Sequence, residues 1–524
     1  LQERIEGLGD HEIVVPNEDN RRWTWFVGHA VERFELWCKS TCNKPCEIGD
    51  LLTLHLPPVD VFMVWHSYSL NPAWYQEDVK RVPLLKFLQN LGCLFEMHAE
   101  NMVSYLVSDP SDTRVGEWTD STQLPFDPIE SAKTLVTRTI TCPSCQKDLT
   151  VPLSNDDNTG YLQRNFLARC RSGSQCPEIN KFKLAAEKLA EDLSINVPCN
   201  NMRDYQRYLA GTLYTPVVPY DYEQARDIKN TILQAPKFHQ PNGTHYSLSP
   251  VNQPHRVRSD EKPEPAHHEW ESAILRRVNF SMGVMDRVIR RSMGNDVKSL
   301  LRLMSAYTDD KPWSIDLVSA VLRQRSFVEK MESLGWTGPL FLDDADGERI
   351  LERAIQRYHN FLDLVQGLSS SLFLVPTLDI DLVWHTHQLM ASKYEGNCMR
   401  FLRRFLDHND NVEQQDLFLA FQKTCRAWKS RFKVPYNQPQ RELKGKGEDD
   451  SEKYSRLIEV ATDTAELITN IANDRTNCWA SCGVAGGNNY GDCGSGAGCG
   501  GGGGGCGSSG GCGGGGGCGG GGGG

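Results

Sequence analysis

The stretch "LDIDLVWHTHQL", residues 378–389, places two aspartates, a tryptophan and two histidines in twelve positions. Asp379, His385 and His387 are residue types that bind metal. Two histidines and a carboxylate on one face of a β-rich barrel would make a non-haem iron site. The local signals point to a helix instead. Pro376 precedes the stretch, and Asp379 is suited to cap a helix start. Side chains on a helix turn by about 100° per residue, so His385 and His387 would diverge by about 200° and could not share one ion. Ile380, Val383, Trp384 and His387 would cover one arc, and Asp381, His385 and Leu389 another. Asp381 and His385, one turn apart, could supply half a metal site. A helix that is apolar nearly all round belongs inside a domain. The expectation is therefore that Asp379 caps, Trp384 packs and His385 hydrogen-bonds internally.

The stretch has a counterpart. "PPVDVFMVWHSYSLNPAWY" (57–75) aligns without gaps onto "PTLDIDLVWHTHQLMASKY" (376–394). Asp60 matches Asp379, Trp65 matches Trp384, His66 matches His385 and Tyr75 matches Tyr394. His387 falls opposite Tyr68, an aromatic exchange within a packing face. Phe62 stands where the second copy has Asp381, so any half-site belongs to the second copy alone. Upstream, "AVERF" (30–34) resembles "AIQRY" (354–358). Two copies are too few for a solenoid and indicate two related helical domains.

Thiols form the other candidate. "TITCPSCQKDLTVPL" carries Cys142 and Cys145, and "RCRSGSQCPEI" carries Cys170 and Cys176. Four cysteines grouped C-x2-C and C-x5-C, flanked by β-prone residues, suit a closed tetrahedral zinc site. Its rivals are a redox pair or unrelated free thiols. Cys38, Cys42 and Cys46 lack an evident fourth partner. Seven of the eighteen cysteines lie in the last 47 residues. There Cys493, Cys499, Cys506, Cys512 and Cys518 recur in almost pure glycine, too poor in side chains to build a core. This tail reads as a flexible tether whose thiols could bind soft metals or crosslink chains. It lacks the Arg-Gly-Gly repeats and aromatics of RNA-binding tails.

The elements that must position these residues follow from periodicity. Trp23, Phe26, Val27, Ala30, Val31, Phe34 and Trp37 recur at helical spacing. A further helix is expected at "LLKFLQNLG", closed by Gly92 as a C-cap, and others at "KFKLAAEKLAEDL" and "DYEQARDIKNTIL". The expected organisation is a helical repeat domain at 20–110, a zinc-ribbon-like insertion at 111–180 and a helical connecting segment at 181–233. A Pro-rich linker or loop at 234–268 would lead to a second helical repeat domain at 269–436. A charged hinge with an amphipathic helix at 437–476 and the Gly/Cys tail at 477–524 complete it. The fold class is thus mainly α, with two related helical domains, a small β-rich insertion and a disordered tail.

Composition narrows the function. The formal net charge of −11 argues against a general nucleic-acid binder but leaves room for a local basic patch. No run of about 20 apolar residues offers a membrane span. The chain opens on Leu1 rather than Met, as a fragment would, and "LQERIEGLGD" lacks the pattern of a signal peptide. Reduced thiols fit a cytoplasmic protein, with the nucleus as alternative.

"VPTLDIDLVWHTHQLMASKY", "FLDHNDNVEQ", "AWKSRFKVPY" and the Gly/Cys-rich end resemble the glycine-rich domain-containing proteins of plants and fungi. The resemblance covers about 20–436. It implies a repeated domain of unknown function built around Asp-x4-Trp-His. Plant relatives are implicated in development and stress responses, with suggested RNA association. Some fungal relatives carry the label of a 2-oxoglutarate-dependent sulfonate dioxygenase. Relatives often place Cys-Gly-Cys after "VPY", where this chain has "NQPQ", so a metal or redox role there is not carried over. No P-loop, dinucleotide fingerprint or nucleophile elbow appears. The leading expectation is a non-enzymatic scaffold with a structural zinc ion, acting through protein partners. Its rivals are an iron/2-oxoglutarate oxygenase and a nucleic-acid-associated regulator.

Overall fold

A computed structural model of the chain describes residues 4–5, 21–42, 44, 48–172, 176–195, 208–248, 267–338, 341, 345–368, 373–409, 412 and 414–436. Cys46, the expected hinge and the Gly/Cys tail lie outside these residues. The architecture is mainly helical, with a small sheet of two strands. In chain order the helices are α1 (Arg21–Thr41), α2 (Val59–Ser69), α3 (Pro72–Arg81), α4 (Lys86–Met97), α5 (Ala99–Val107), α6 (Asp112–Thr122) and α7 (Pro128–Thr134). The hairpin β1 (Thr137–Thr141) and β2 (Asp148–Pro152) follows. Next are α8 (Lys181–Ser194), α9 (Tyr222–Leu233), α10 (His267–Arg277), α11 (Met282–Met293), α12 (Val297–Ser305) and α13 (Leu317–Ser333). The last are α14 (Ala345–Gly367), α15 (Leu378–Leu389), α16 (Ala391–Asn397) and α17 (Gln414–Phe432).

Local chemistry starts many of these helices. Asp127, Asn180, Asp221, Asp296 and Asp316 each accept a backbone N–H from the first turn they precede. Pro72 and Pro128 occupy the first helical position, where a missing N–H does no harm. The strands pair antiparallel from Thr137 opposite Pro152 to Thr141 opposite Asp148.

Four larger cores are built on these elements. The first joins α1, α2 and α4 and includes the seven periodic residues from Trp23 to Trp37. The second joins α8 to α12 around Trp270. The third joins α14 to α17 around Trp384, Tyr394 and Trp428. The fourth lies under the hairpin, around Tyr161 and Phe166.

Core membership divides the chain differently from the expected boundaries. Residues 269–436 do not make one core. α10 to α12 pack with α8 and α9, which were expected only to connect. Trp313, Leu317 and Val321, at and before the start of α13, enter the first core, where Trp313 meets Phe34 at 5.4 Å. The expected linker 234–268 begins with packed chain: Phe238, Tyr246 and Leu248 are buried in the second core. His267 already opens α10. Polar spacing between these apolar anchors hid them. Gly92 does not close a helix either. α4 runs on to Met97, carried by buried Leu91 and Leu94, and a Cβ at 92 would stand 3.9 Å from Ala391 of α16.

Candidate metal centres and the paired Trp-His motif

The hairpin turn sets the first pair of thiols. Cys142 N–H donates to Lys147 O, and Gln146 N–H returns to Cys142 O, with Gln146 in the left-handed region at φ 57°. This tight loop turns Cys142 and Cys145 toward Cys170 and Cys176, which lie between the bridged residues Ala168 and Ile179. All four sulfurs lie within 4.8 Å of one another, Cys145 and Cys170 at 3.5 Å. A zinc–thiolate tetrahedron with arms of about 2.3 Å has edges of about 3.8 Å, so the donor set fits such an ion. Cys142 is buried and the others half-buried. Hydrogen bonds from the Ser172 side chain and backbone lower Cys170 to about 6, while burial first of all raises Cys142 to about 12. The four-cysteine group is compatible with metal binding.

The two Trp-His segments make the same contacts. Trp65 Nε1 donates to Tyr75 Oη at 3.1 Å, and Trp384 Nε1 to Tyr394 Oη at 2.8 Å. Each tyrosine passes its own proton to a backbone carbonyl, Leu88 at 3.1 Å and Leu406 at 2.6 Å. Phe34 meets Tyr68 edge-on at 6.3 Å and 87°, as Tyr358 meets His387 at 5.9 Å and 82°. Trp37 tilts on Trp65 at 5.9 Å, as Phe361 tilts on Trp384 at 5.7 Å.

The motif aspartates do not stand at the N-cap position. Asp60 and Asp379 stand at the second residue of α2 and α15, and neither helix has a side-chain cap at its N-cap residue. Each faces an arginine from the long helix before it: Arg33 Nε lies 3.3 Å from Asp60, and Arg357 Nε lies 2.6 Å from Asp379. These arginines come from the matched "AVERF" and "AIQRY" segments. The physical reason is reach, because a guanidinium one layer away offers a charged donor where a cap offers one N–H. Burial pushes the Asp60 carboxyl up against the pull of Arg33.

His385 and His387 diverge. His387 Nδ1 lies 2.9 Å from Tyr358 Oη, and its Nε2 lies 3.1 Å from Asn397 Nδ2. His385 turns the other way, into contact with His408. The two Nε2 atoms are 3.3 Å apart, and Asp381 Oδ1 lies 3.5 Å from His385 Nε2 and 3.3 Å from His408 Nε2. Both rings are buried. Burial, followed by nearby His385, pushes His66 down to about 4. His408 lies in "FLDHNDNVEQ", 23 residues beyond His385. Its spacing gave no sign of this meeting.

Residues 295–396 match the family model described as glycine-rich domain-containing protein-like. Over this region the chain is similar to the glycine-rich domain-containing protein family. It is 34% identical over 130 residues to glycine-rich domain-containing protein 2 of Arabidopsis thaliana. It is 32% identical over 134 residues to glycine-rich domain-containing protein 1 of the same plant. Either alignment covers 24% of this chain and 15% of the relative, so the match spans a small part of those proteins. No solved structure matches the chain. Among the described residues, no helix is long and apolar enough to cross a membrane.

Proposed function

We propose that the chain is a helical interaction scaffold whose hairpin insertion is held by one structural zinc ion. The two Trp-His segments are read as copies of one helical domain. The observation that carries the metal reading is the convergence of Cys142, Cys145, Cys170 and Cys176 within 4.8 Å. Four thiolates satisfy zinc completely and leave no open position for a substrate, which is the arrangement of structural rather than catalytic zinc. The scaffold acts through protein partners in the cytoplasm. A mainly helical surround also speaks against the 2-oxoglutarate oxygenase reading, which asks for a β-barrel.

Elemental analysis of the reduced full chain tests the zinc. The double substitution Cys142→Ser, Cys145→Ser should remove one equivalent and lower the melting temperature. A folded protein that carries the same zinc with and without these thiols would refute the reading. Affinity capture with the wild type and this variant tests the partner side: partners that bind both equally would place recognition away from the insertion.

A further inference from the structure

Asp381, His385 and His408 form a second cluster, remote in sequence from the cysteines. Asp381 and His385 project from one face of α15, a turn apart. His408 comes from the segment between the end of the π-helical turn Cys398–Leu402 and α17. Three donor atoms converge, Asp381 Oδ1 and the Nε2 atoms of His385 and His408, with edges of 3.5, 3.3 and 3.3 Å.

Protons cannot satisfy this triangle well. Each Nε2 carries one hydrogen at most, and the carboxylate only accepts. If both rings donate to Asp381, the two N–H groups oppose each other across the 3.3 Å edge between them. If only one donates to Asp381, the lone pair of the other ring is left facing the carboxylate. Every edge is also longer than a good N–H···O bond of about 2.7–3.2 Å. A cation at the centre would use all three lone pairs at once. A tetrahedron with arms of about 2.1 Å has edges of about 3.4 Å, which is the size of the observed triangle. Aromatic walls fix the two rings: Phe327 of α13 lies 4.6 Å from His385, and Trp384 meets His408 edge-on at 4.8 Å.

We infer that Asp381, His385 and His408 bind a divalent first-row transition ion of the zinc type, with the fourth tetrahedral position left to an exchangeable ligand such as water. The ion sits where the third core meets α13, the helix that lines the first core. Asp407, next to His408, accepts the Ala73 N–H of α3 at 3.3 Å. Binding therefore fastens the 405–409 segment at the junction of the two Trp-His copies.

Cobalt(II) titration of the full chain, with the cysteine site first loaded with zinc, tests the inference. Nitrogen and oxygen ligands give tetrahedral d–d bands without thiolate charge transfer, which separates this site from any cysteine site, tail thiols included. The wild type should show such bands. Asp381→Asn, nearly isosteric, and His408→Gln should each weaken binding by about 100-fold or more, beyond the 10–100-fold typical of an outer-shell change. Cys142→Ser, Cys145→Ser should leave these bands in place, so loss of the cysteine centre and loss of this one are told apart. Wild-type cobalt bands that always come with thiolate charge transfer would overturn the inference, and need no variant to fold. So would binding unchanged by Asp381→Asn in a protein with native circular dichroism.

Discussion

Trp384 and Trp65 hold equivalent posts, each buried and each donating to a tyrosine ten residues on. Truncating either to alanine should cost about 3–5 kcal/mol, from the cavity and from the abandoned tyrosine. Urea unfolding of the two variants checks this, and a loss under about 1 kcal/mol in either would break the equivalence. His387→Tyr should be the milder change, since Tyr68 already fills that place in the first copy, whereas His385→Ala should be the harsher. At this scale the sequence was informative where partners lie at fixed spacing. Asp60, Trp65 and Tyr75 align with Asp379, Trp384 and Tyr394, and the same pairs form in both places. It was silent where the partner arrives through a turn. The π-helical turn and the left-handed Arg403 at φ 57° decide where His408 points, and neither leaves a periodic trace.

The hairpin is tied to the helices by charge. Arg138 on β1 reaches Glu32 and Glu35 of α1 at 2.7 and 2.8 Å and Asp310 at 2.9 Å. Lys311 closes the cluster at 2.6 Å from Glu32 and 2.7 Å from Glu35. Burial alone would raise the Glu35 carboxyl, but Lys311, Arg138 and Lys39 together hold it well below its ordinary value. Asp310, half-buried, is held low against its desolvation by Arg138, Lys181 and Lys311. A carboxyl depressed in the folded state contributes stability above its unfolded pKa of about 4 and loses it as pH falls through the folded value. The network should thus be fully present at neutral pH and fail in acid. Arg138→Ala removes the cation that serves three carboxylates. It should cost about 3–5 kcal/mol at pH 7 and shift the acid-unfolding midpoint toward neutral, as circular dichroism across pH would show. An unshifted midpoint would mean that Arg138 does not hold these carboxylates down. The strands themselves were legible from Thr, Val and Ile around the C-x2-C loop. Their docking was not, because Glu32, Glu35 and Arg138 look like ordinary surface charge until the fold buries them.

Across the whole molecule one short helix carries a large share of the connections. Ala73, Trp74 and Tyr75 are consecutive on α3, and they enter the third, second and first cores respectively. Glu77, two residues later and buried, accepts the backbone N–H groups of Gly211, Thr212 and Leu213 at 2.6, 3.1 and 3.4 Å and the Arg302 guanidinium at 3.1 Å. Asp78 takes the Tyr68 hydroxyl at 2.7 Å and the Ser314 N–H at 2.7 Å. Arg81 pairs with Asp192 of α8 at 2.9 Å. Glu77→Ala would strand three buried N–H groups and a cation, and should lower unfolding free energy by about 3–5 kcal/mol. Gly211 has no room for a side chain, because its φ is +79° and a Cβ would come within 2.9 Å of Arg302 O. Gly211→Ala should therefore destabilise by more than about 1 kcal/mol, and urea unfolding reads both variants. Sequence reading singled out no helix after Pro72, and a charged run such as "QEDVKR" gives no hint that it is interior.

The segment that matches the family model, 295–396, inherits a consequence from this division of cores. Its α12 packs into the second core, α13 against the first, and α14 to α16 into the third. In this chain the matched segment is therefore a suture and not a detachable part. Excised and expressed alone, those residues would bare three unmatched apolar faces to water. They should give a spectrum of fluctuating helix without a cooperative melt. A domain shuffled by evolution would be expected to travel with its own interior. In this chain the segment is a strip that the rest of the molecule completes.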